Sequence, residues 1–263
     1  MSNIIDIDLY NALDIMSAEK VVREHVLKNH DNNLWWPNTI DDYKIRLLVA
    51  GLSTRVSYNM IQKYISVVDS FSSYKYDEIR KMADDDLLKI ISVLGLATAR
   101  ISYIRSMIDF IDTYPVEIQN CASDELIELI SRKVKGASYK VAQCCVLYMK
   151  GYYCGIMPVD SGMKDLLLPC IGFCIKRGSI GHEAARRDLE EIVKALDLRP
   201  LINKNGYSDL LTVPPGRPLT WWAHLVLIYF KRAFCNKHKP ELCPLYINHL
   251  KIKWAVPFQW HDR

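Results

Sequence analysis

Residues 134–142 read Val134-Lys135-Gly136-Ala137-Ser138-Tyr139-Lys140-Val141-Ala142. The pattern before them predicts a helix to about Arg132. Ser123 is its expected N-cap, and Asp124 and Glu125 lie in the first turn, where the helix dipole favours negative charge. After them, apolar spacing predicts a second helix from Tyr139 to Lys150, with Val141, Cys144 and Tyr148 facing inward. Gly136 between the two allows a left-handed turn or a close backbone approach that a side chain would obstruct. The stretch therefore reads as helix, hairpin, helix. Backbone N–H groups at the start of the second helix can hold an anion through their donors and dipoles. An ordinary interhelical turn with Gly136 as a C-cap fits the same residues. Lys140 falls near the edge of the buried face. It is either a lysine whose stem snorkels over apolar surface, or an amine made nucleophilic by burial or a neighbouring charge.

Downstream, the chain reaches Met157-Pro158-Val159-Asp160-Ser161-Gly162. The proline favours extended backbone before it, and Asp160 is suited to cap a new helix. A capping role would also fix its carboxylate beside a reaction centre.

Helical periodicity governs the rest of the chain, and strict alternation is scarce. Helices are expected over 17–28, beginning at Ser17, over 43–52 after a start at Thr39 and Asp42, and beyond Ser53 or Thr54 as cap, with Val56, Met60, Ile61 and Tyr64 inward. Others are expected over 76–82 and over 84–94, where Gly95 stops the pattern. A long one begins at Thr98, with Ile101, Ile104, Ile108 and Ile111 on one face and Pro115 after it. Segments 164–176, 182–196 and 219–234 complete the set, which makes the chain all-α.

The 263 residues suffice for one large core or two packed smaller ones. A net charge of +4 permits nucleic-acid binding without requiring it. The distribution is more informative: Arg132, Lys133, Lys135 and Lys140 gather at the hairpin, and Lys231, Arg232, Lys237, Lys239, Lys251 and Lys253 gather toward the C-terminus. The eight cysteines lack zinc or disulfide spacing, which points to a reducing compartment. The N-terminal residues do not read as a secretory signal, and no apolar run approaches the roughly 18 residues of a membrane span.

From about residue 37 to 250 the chain resembles the helix-hairpin-helix (HhH-GPD) DNA glycosylases, the superfamily of endonuclease III and 8-oxoguanine DNA glycosylase. Its hairpin usually reads Leu-Pro-Gly-Val-Gly-x-Lys-x-Ala. Here Val134 and Lys135 stand for Leu-Pro, Gly136 is kept, and Lys140 and Ala142 match. The family's Val-Asp follows as Val159-Asp160. Two departures stand out: Ser138 replaces the second hairpin glycine, and Ser161-Gly162 replaces a common Thr-His pair.

The resemblance implies an all-α HhH-GPD fold of two helical modules flanking a DNA-binding cleft. Residues 34–152 would form the six-helix module with the hairpin, and 1–33 plus 153–263 the second. It implies a bifunctional DNA glycosylase and AP lyase of base excision repair, with Lys140 as Schiff-base nucleophile and Asp160 as stabiliser of the sugar cation. Lys135, Gly136, Ala137, Ser138 and Tyr139 would engage DNA phosphate, with a monovalent cation at the hairpin carbonyls. Leu52, Ser53 and Arg55 correspond to the segment that fills the gap left by the extruded base, although Leu52 fits a core position equally well. Trp36, Trp221, Trp222 and Phe258 are candidates for the base pocket or for packing.

Only Cys235 and Cys243 stand where related enzymes place the cysteines of an iron–sulfur cluster, so no cluster, metal or required cofactor is expected. The lysine and the missing cluster ligands favour an oxidised base, 8-oxoguanine first. The stretch from Leu34 to Tyr43 resembles the mismatch and adenine-excising branches instead. Alternatives are an oxidised-pyrimidine or T/G-mismatch glycosylase, a catalytically silent helix-hairpin-helix DNA-binding protein, and a helical interaction protein. The expected partner is damaged double-stranded DNA, bound by a monomer without a membrane. The expected setting is intracellular: the nucleus in a eukaryote, the cytoplasm or nucleoid in a prokaryote.

Overall fold

The computed structural model describes residues 2–210 and 218–247, apart from the side chains of 2–8 and 240, and contains helices and no strand among them. The described contacts gather into two units. One comprises 31–158 with 178–183; the other comprises the described parts of 1–30, 159–177 and 184–263.

Local signals explain most of the first unit. The chain opens with α1 (Ser2–Ala18) and α2 (Lys20–Asn29), which belong to the other unit, and then α3 (Tyr43–Leu52) begins. The Asp42 carboxylate caps α3 by accepting from the Lys44 N–H at 2.9 Å. A 3-10 turn at Tyr58–Met60 leads into α4 (Ile61–Ser72). Neither Ser53 nor Thr54 caps that segment, contrary to expectation. Ser53 directly follows α3, and its hydroxyl donates back to the Ala50 carbonyl at 2.7 Å. Next come α5 (Tyr76–Lys81) and α6 (Asp84–Ile91), then a 3-10 turn that ends at Gly95, whose φ of 68° suits a residue without Cβ. The long α7 (Ala97–Thr113) precedes α8 (Pro115–Asn120), where proline occupies the first turn and costs no helical bond.

The hairpin helices are α9 (Ser123–Lys133) and α10 (Tyr139–Lys150). The cap of α9 is Ala122, not Ser123. Glu125 reaches back to accept the Ala122 N–H at 3.2 Å, while Ser123 Oγ accepts from Lys150 Nζ at 3.2 Å. Helices α3, α7 and α10 share the core. Tyr103 of α7 is buried and donates its hydroxyl to Leu47 O of α3 at 2.7 Å. Gly51 makes that approach possible, because a Cβ there would stand 2.2 Å from the Tyr103 ring.

The second unit departs more from the sequence reading. Ser17 does not start a helix. It lies in the last turn of α1, where its hydroxyl bonds Asp14 O at 3.3 Å, and α2 begins after extended Glu19. The helix expected over 164–176 is cut short. A π-turn at Met163–Leu167 passes into α11 (Leu168–Cys170), and the chain then leaves helix before Gly172, at φ 89°. Pro169 lacks the N–H needed to continue an ordinary helical ladder there. Then come α12 (Ile180–Ala195), α13 (Arg199–Lys204), which periodicity did not reveal, and α14 (Thr220–Ala233).

Helix α14 is buried on nearly every side. Trp221 Nε1 donates to His30 O at 2.8 Å, and His25 of α2 stacks on Tyr229 with ring centres 5.1 Å apart. Tyr207 meets Trp222 edge-on and donates its hydroxyl to Ser17 O at 2.8 Å. The polar ends of Trp221 and Tyr207 thus find backbone partners within this aromatic core.

Candidate active site

The hairpin between α9 and α10 is anchored from below. Val134 and Ala137 are buried, and the Ala137 N–H closes the turn on Val134 O at 3.1 Å. The Lys135 N–H donates to Ser106 Oγ of α7 at 2.9 Å. Gly136 has φ 83°, so this position requires the freedom of glycine. Ser138 does not: its φ of −71° and ψ of 169° are open to any residue. The missing second glycine therefore imposes no backbone strain. The Ser138 carbonyl accepts the Ala142 N–H at 2.9 Å, which makes Ser138 the N-cap residue of α10. Lys135, Gly136 and Ser138 are exposed, Tyr139 and Lys140 are half-buried, and Ala137 supports the turn from inside.

Lys140 is the second residue of α10, at the positive end of its dipole. It approaches the apolar interior. Burial pushes the neighbouring Cys145 thiol up to about 12, while the Lys140 charge acts in the opposite direction.

Asp160 belongs to the other unit. Its Oδ1 accepts the Met163 N–H at 2.7 Å, so it caps the turn that follows it. Its Oδ2 meets Lys231 Nζ of α14 at 2.5 Å. The Lys231 side chain is 8% exposed and that of Asp160 30%. Gly162 leaves the space that Lys231 fills: a Cβ at 162 would lie 2.8 Å from Lys231 Cδ and 3.0 Å from Nζ. Sequence reasoning placed Lys231 only within the basic group toward the C-terminus. The available signal was the apolar run over 225–230 that directly precedes Lys231, which draws the lysine toward a buried setting where a partner is needed.

Two loops of the first unit share one clasp. Arg100 of α7 is buried. Its Nε donates to Gly95 O at 2.8 Å, Nη1 to Leu52 O at 2.7 Å, and Nη2 to Thr54 O at 3.0 Å and Leu94 O at 3.3 Å. Each loop then presents one residue in left-handed backbone: Arg55 at φ 55° and Leu96 at φ 54°, both exposed. Non-glycine residues seldom hold that conformation unless their surroundings impose it. Leu52 is corrected here: it is fully buried, so its side chain belongs to the core and its carbonyl to Arg100. Ser53 is also buried, with its hydroxyl turned back into α3. Arg55 remains on the surface. Leu96, which sequence reasoning missed, is an apolar side chain 51% exposed.

The residues expected at the base pocket fall in both units, and the described ones pack within their own. Trp36 packs against Tyr148 and Tyr152 at centroid distances of 5.2 and 3.9 Å, and Trp221 and Trp222 are buried in the α14 core. Large rings pack there because burial removes more apolar area from water than a wall position would. Phe258 lies outside the described residues. Among the described residues, no group of three or more His, Cys, Asp or Glu side chains is arranged for a metal ion, and no helix is long and apolar enough to cross a membrane.

No family model matches this chain, and no curated protein matches it. Among solved structures, the Helicobacter pylori 3-methyladenine DNA glycosylase (MagIII) bound to 1,N6-ethenoadenine is similar, with a TM-score of 0.54 and 14% identity. The match covers 86% of this chain and 97% of that one. The likeness shows that this chain shares the all-α fold of that structure.

Proposed function

We propose that this protein is a base-excision DNA glycosylase with AP-lyase activity. The observation that carries the reading is Lys140, placed one residue into α10 behind the Gly136 hairpin, in a fold shared with a DNA glycosylase. The Asp160 carboxylate, fixed by capping the turn that follows it, supports it.

The damaged nucleotide leaves the duplex stack. Hairpin N–H groups of Gly136, Ser138 and Lys140 hold phosphate, with Lys135 and Tyr139 adding side-chain contacts, and the hairpin carbonyls would hold a monovalent cation. Arg55 and exposed Leu96 occupy the vacated space. Such contacts position the duplex without identifying the base. Deprotonated Lys140 attacks C1′ as the base departs and takes up a proton. The resulting amine adduct opens to a Schiff base. Loss of a C2′ proton then expels the 3′ phosphate by β-elimination. Asp160 stabilises the positive charge that develops on the sugar, because a partly buried carboxylate is screened less than in water.

The lysine favours an oxidised base, 8-oxoguanine first. The H. pylori structure, with its 1,N6-ethenoadenine, favours a second reading: hydrolytic excision of an alkylated base without a covalent lysine adduct. Borohydride trapping separates the two. The panel contains duplexes with 8-oxoguanine, thymine glycol, uracil, a T/G mismatch, 1,N6-ethenoadenine and a bare abasic site. The expected result is a trapped adduct that Lys140→Ala abolishes, and base release that Asp160→Asn slows by roughly a hundredfold or more, within the range expected of a catalytic group. Unchanged trapping by Lys140→Ala removes Lys140 as nucleophile. Base release from ethenoadenine without any adduct selects the hydrolytic reading. Duplex binding with no base release from any lesion leaves a silent binding module.

A further inference from the structure

We infer that Lys231 is a positioning residue for Asp160, seated in a space that Gly162 leaves open; this rests on Asp160 being the carboxylate that faces the sugar cation. The two carboxylate oxygens are held by different groups. The Met163 N–H fixes Oδ1 at 2.7 Å, and Lys231 Nζ holds Oδ2 at 2.5 Å. A carboxylate anchored at one oxygen can still swing about that bond. Anchored at both, it keeps one orientation, and rotation would break both contacts. Preorganisation of this kind matters where charge develops, because no reorientation is then needed as the barrier is crossed.

Burial makes the arrangement reciprocal. The Lys231 side chain is 8% exposed and rises from a helix whose Leu227, Ile228 and Phe230 are also buried. An ammonium so placed requires an ionised partner, since desolvation disfavours an unpaired charge. The ion pair thus holds in place the carboxylate that the proposed reaction uses, with 30% of its side chain exposed.

The third member is Gly162. Its missing side chain is occupied by the lysine stem, with Cδ at 2.8 Å and Cε at 3.2 Å from where a Cβ would sit. A histidine at 162, the residue type of the related motif, would take the volume that Lys231 fills. The departure Ser161-Gly162 and the lysine 71 positions from Asp160 thus form one structural unit.

A double-mutant cycle tests the assignment. Asp160→Asn, Lys231→Met and the double variant are compared by single-turnover base release on whichever panel duplex the unaltered protein processes fastest, and by duplex affinity. Lys231→Met is expected to slow base release roughly 10- to 100-fold while duplex affinity stays within about threefold, because Lys231 acts on the reacting carboxylate and not on DNA. In the Asp160→Asn background the same change should add less than about threefold, since its target is already gone. The double variant removes both members of the pair and so avoids leaving an unpaired buried charge, and Gly162→Ala keeps the positioning role testable if Lys231→Met folds poorly. Gly162→Ala, which displaces the lysine while keeping its charge, should slow base release in the same sense.

If Lys231→Met leaves the rate unchanged while Asp160→Asn slows it, the positioning role is wrong and the catalytic Asp160 stands. Equal, multiplying losses in both backgrounds would also overturn it. A silent Asp160→Asn, or no activity on any panel duplex, overturns the Asp160 reading and the lysine assignment with it.

Discussion

Replacing Gly51 by alanine sets helix propensity against packing, and the distances decide between them. Alanine is favoured over glycine inside a helix by about 1 kcal/mol, and by less near an end such as the last turn of α3. Against this, the new Cβ would stand 2.2 Å from both Cε1 and Cζ of Tyr103 and 2.7 Å from Cδ1. Carbon atoms in contact prefer about 3.5–4.0 Å, so ring or helix must move by more than 1 Å or so. The ring has little room. It is 4% exposed, and its hydroxyl bonds Leu47 O at 2.7 Å and touches Cys145 Sγ at 3.4 Å.

Overpacking of this kind costs about 1–3 kcal/mol. Losing the buried hydroxyl bond adds about 1–3 kcal/mol. After the propensity gain, Gly51→Ala should destabilise the protein by about 1–5 kcal/mol. Urea unfolding followed by far-ultraviolet circular dichroism measures this as a lower midpoint at unchanged slope. In a Tyr103→Leu background the ring is gone, and Gly51→Ala should cost less than about 1 kcal/mol. A neutral Gly51→Ala, or the same penalty in both backgrounds, would refute the packing argument. The consequence also extends to the hairpin, since Tyr103 Cβ lies 3.7 Å from the position of a Cβ at Gly136. A displaced ring should therefore weaken duplex binding as well.

Arg100→Leu should destabilise the protein by at least about 3 kcal/mol in thermal melts, because four loop carbonyls lose a charged donor. Arg100→Lys should not restore the clasp, since one ammonium cannot reproduce the guanidinium fork, and amide exchange at residues 52–55 should rise in both variants. Unchanged exchange there would show that the loops hold themselves. At Asp14, burial acts to raise the carboxyl, but bonds from Lys204 Nζ at 2.6 Å and Asn205 Nδ2 at 3.0 Å outweigh it and hold the group below its ordinary value. The folded-state value is thus depressed, so its contribution is complete above the unfolded value near 4 and fades as pH falls through the folded one. The stability gap between the unaltered protein and Asp14→Asn should accordingly shrink below about pH 4 in urea titrations; a gap independent of pH would contradict the assignment.

What could be read locally was read from local interactions. Helices α3, α7 and α10 follow from apolar spacing, the Asp42 cap and the stop at Gly95, all of which act within about one helical turn. The hairpin glycine and the Asp160 cap belong to the same class. The break at Glu19, the short turn after Asp160 and the small α13 escaped, because a brief element with few apolar positions leaves little periodic signal.

Contacts between distant residues escaped for a different reason. Leu52 looked able to enter DNA until its burial beside Arg100 placed it in the core. Trp221 and Trp222 were read as candidates to face a base, and the structure shows α14 buried on nearly every side. From the sequence alone came an all-α chain with a glycine hairpin, a lysine behind it and a helix-capping aspartate. Tertiary structure alone decided which side chains of those helices are buried, and that Lys231 reaches Asp160 through the space at Gly162. The physical reason is range: helices and caps are set by neighbours a few residues apart, whereas burial and ion pairing depend on residues brought together only when the chain packs.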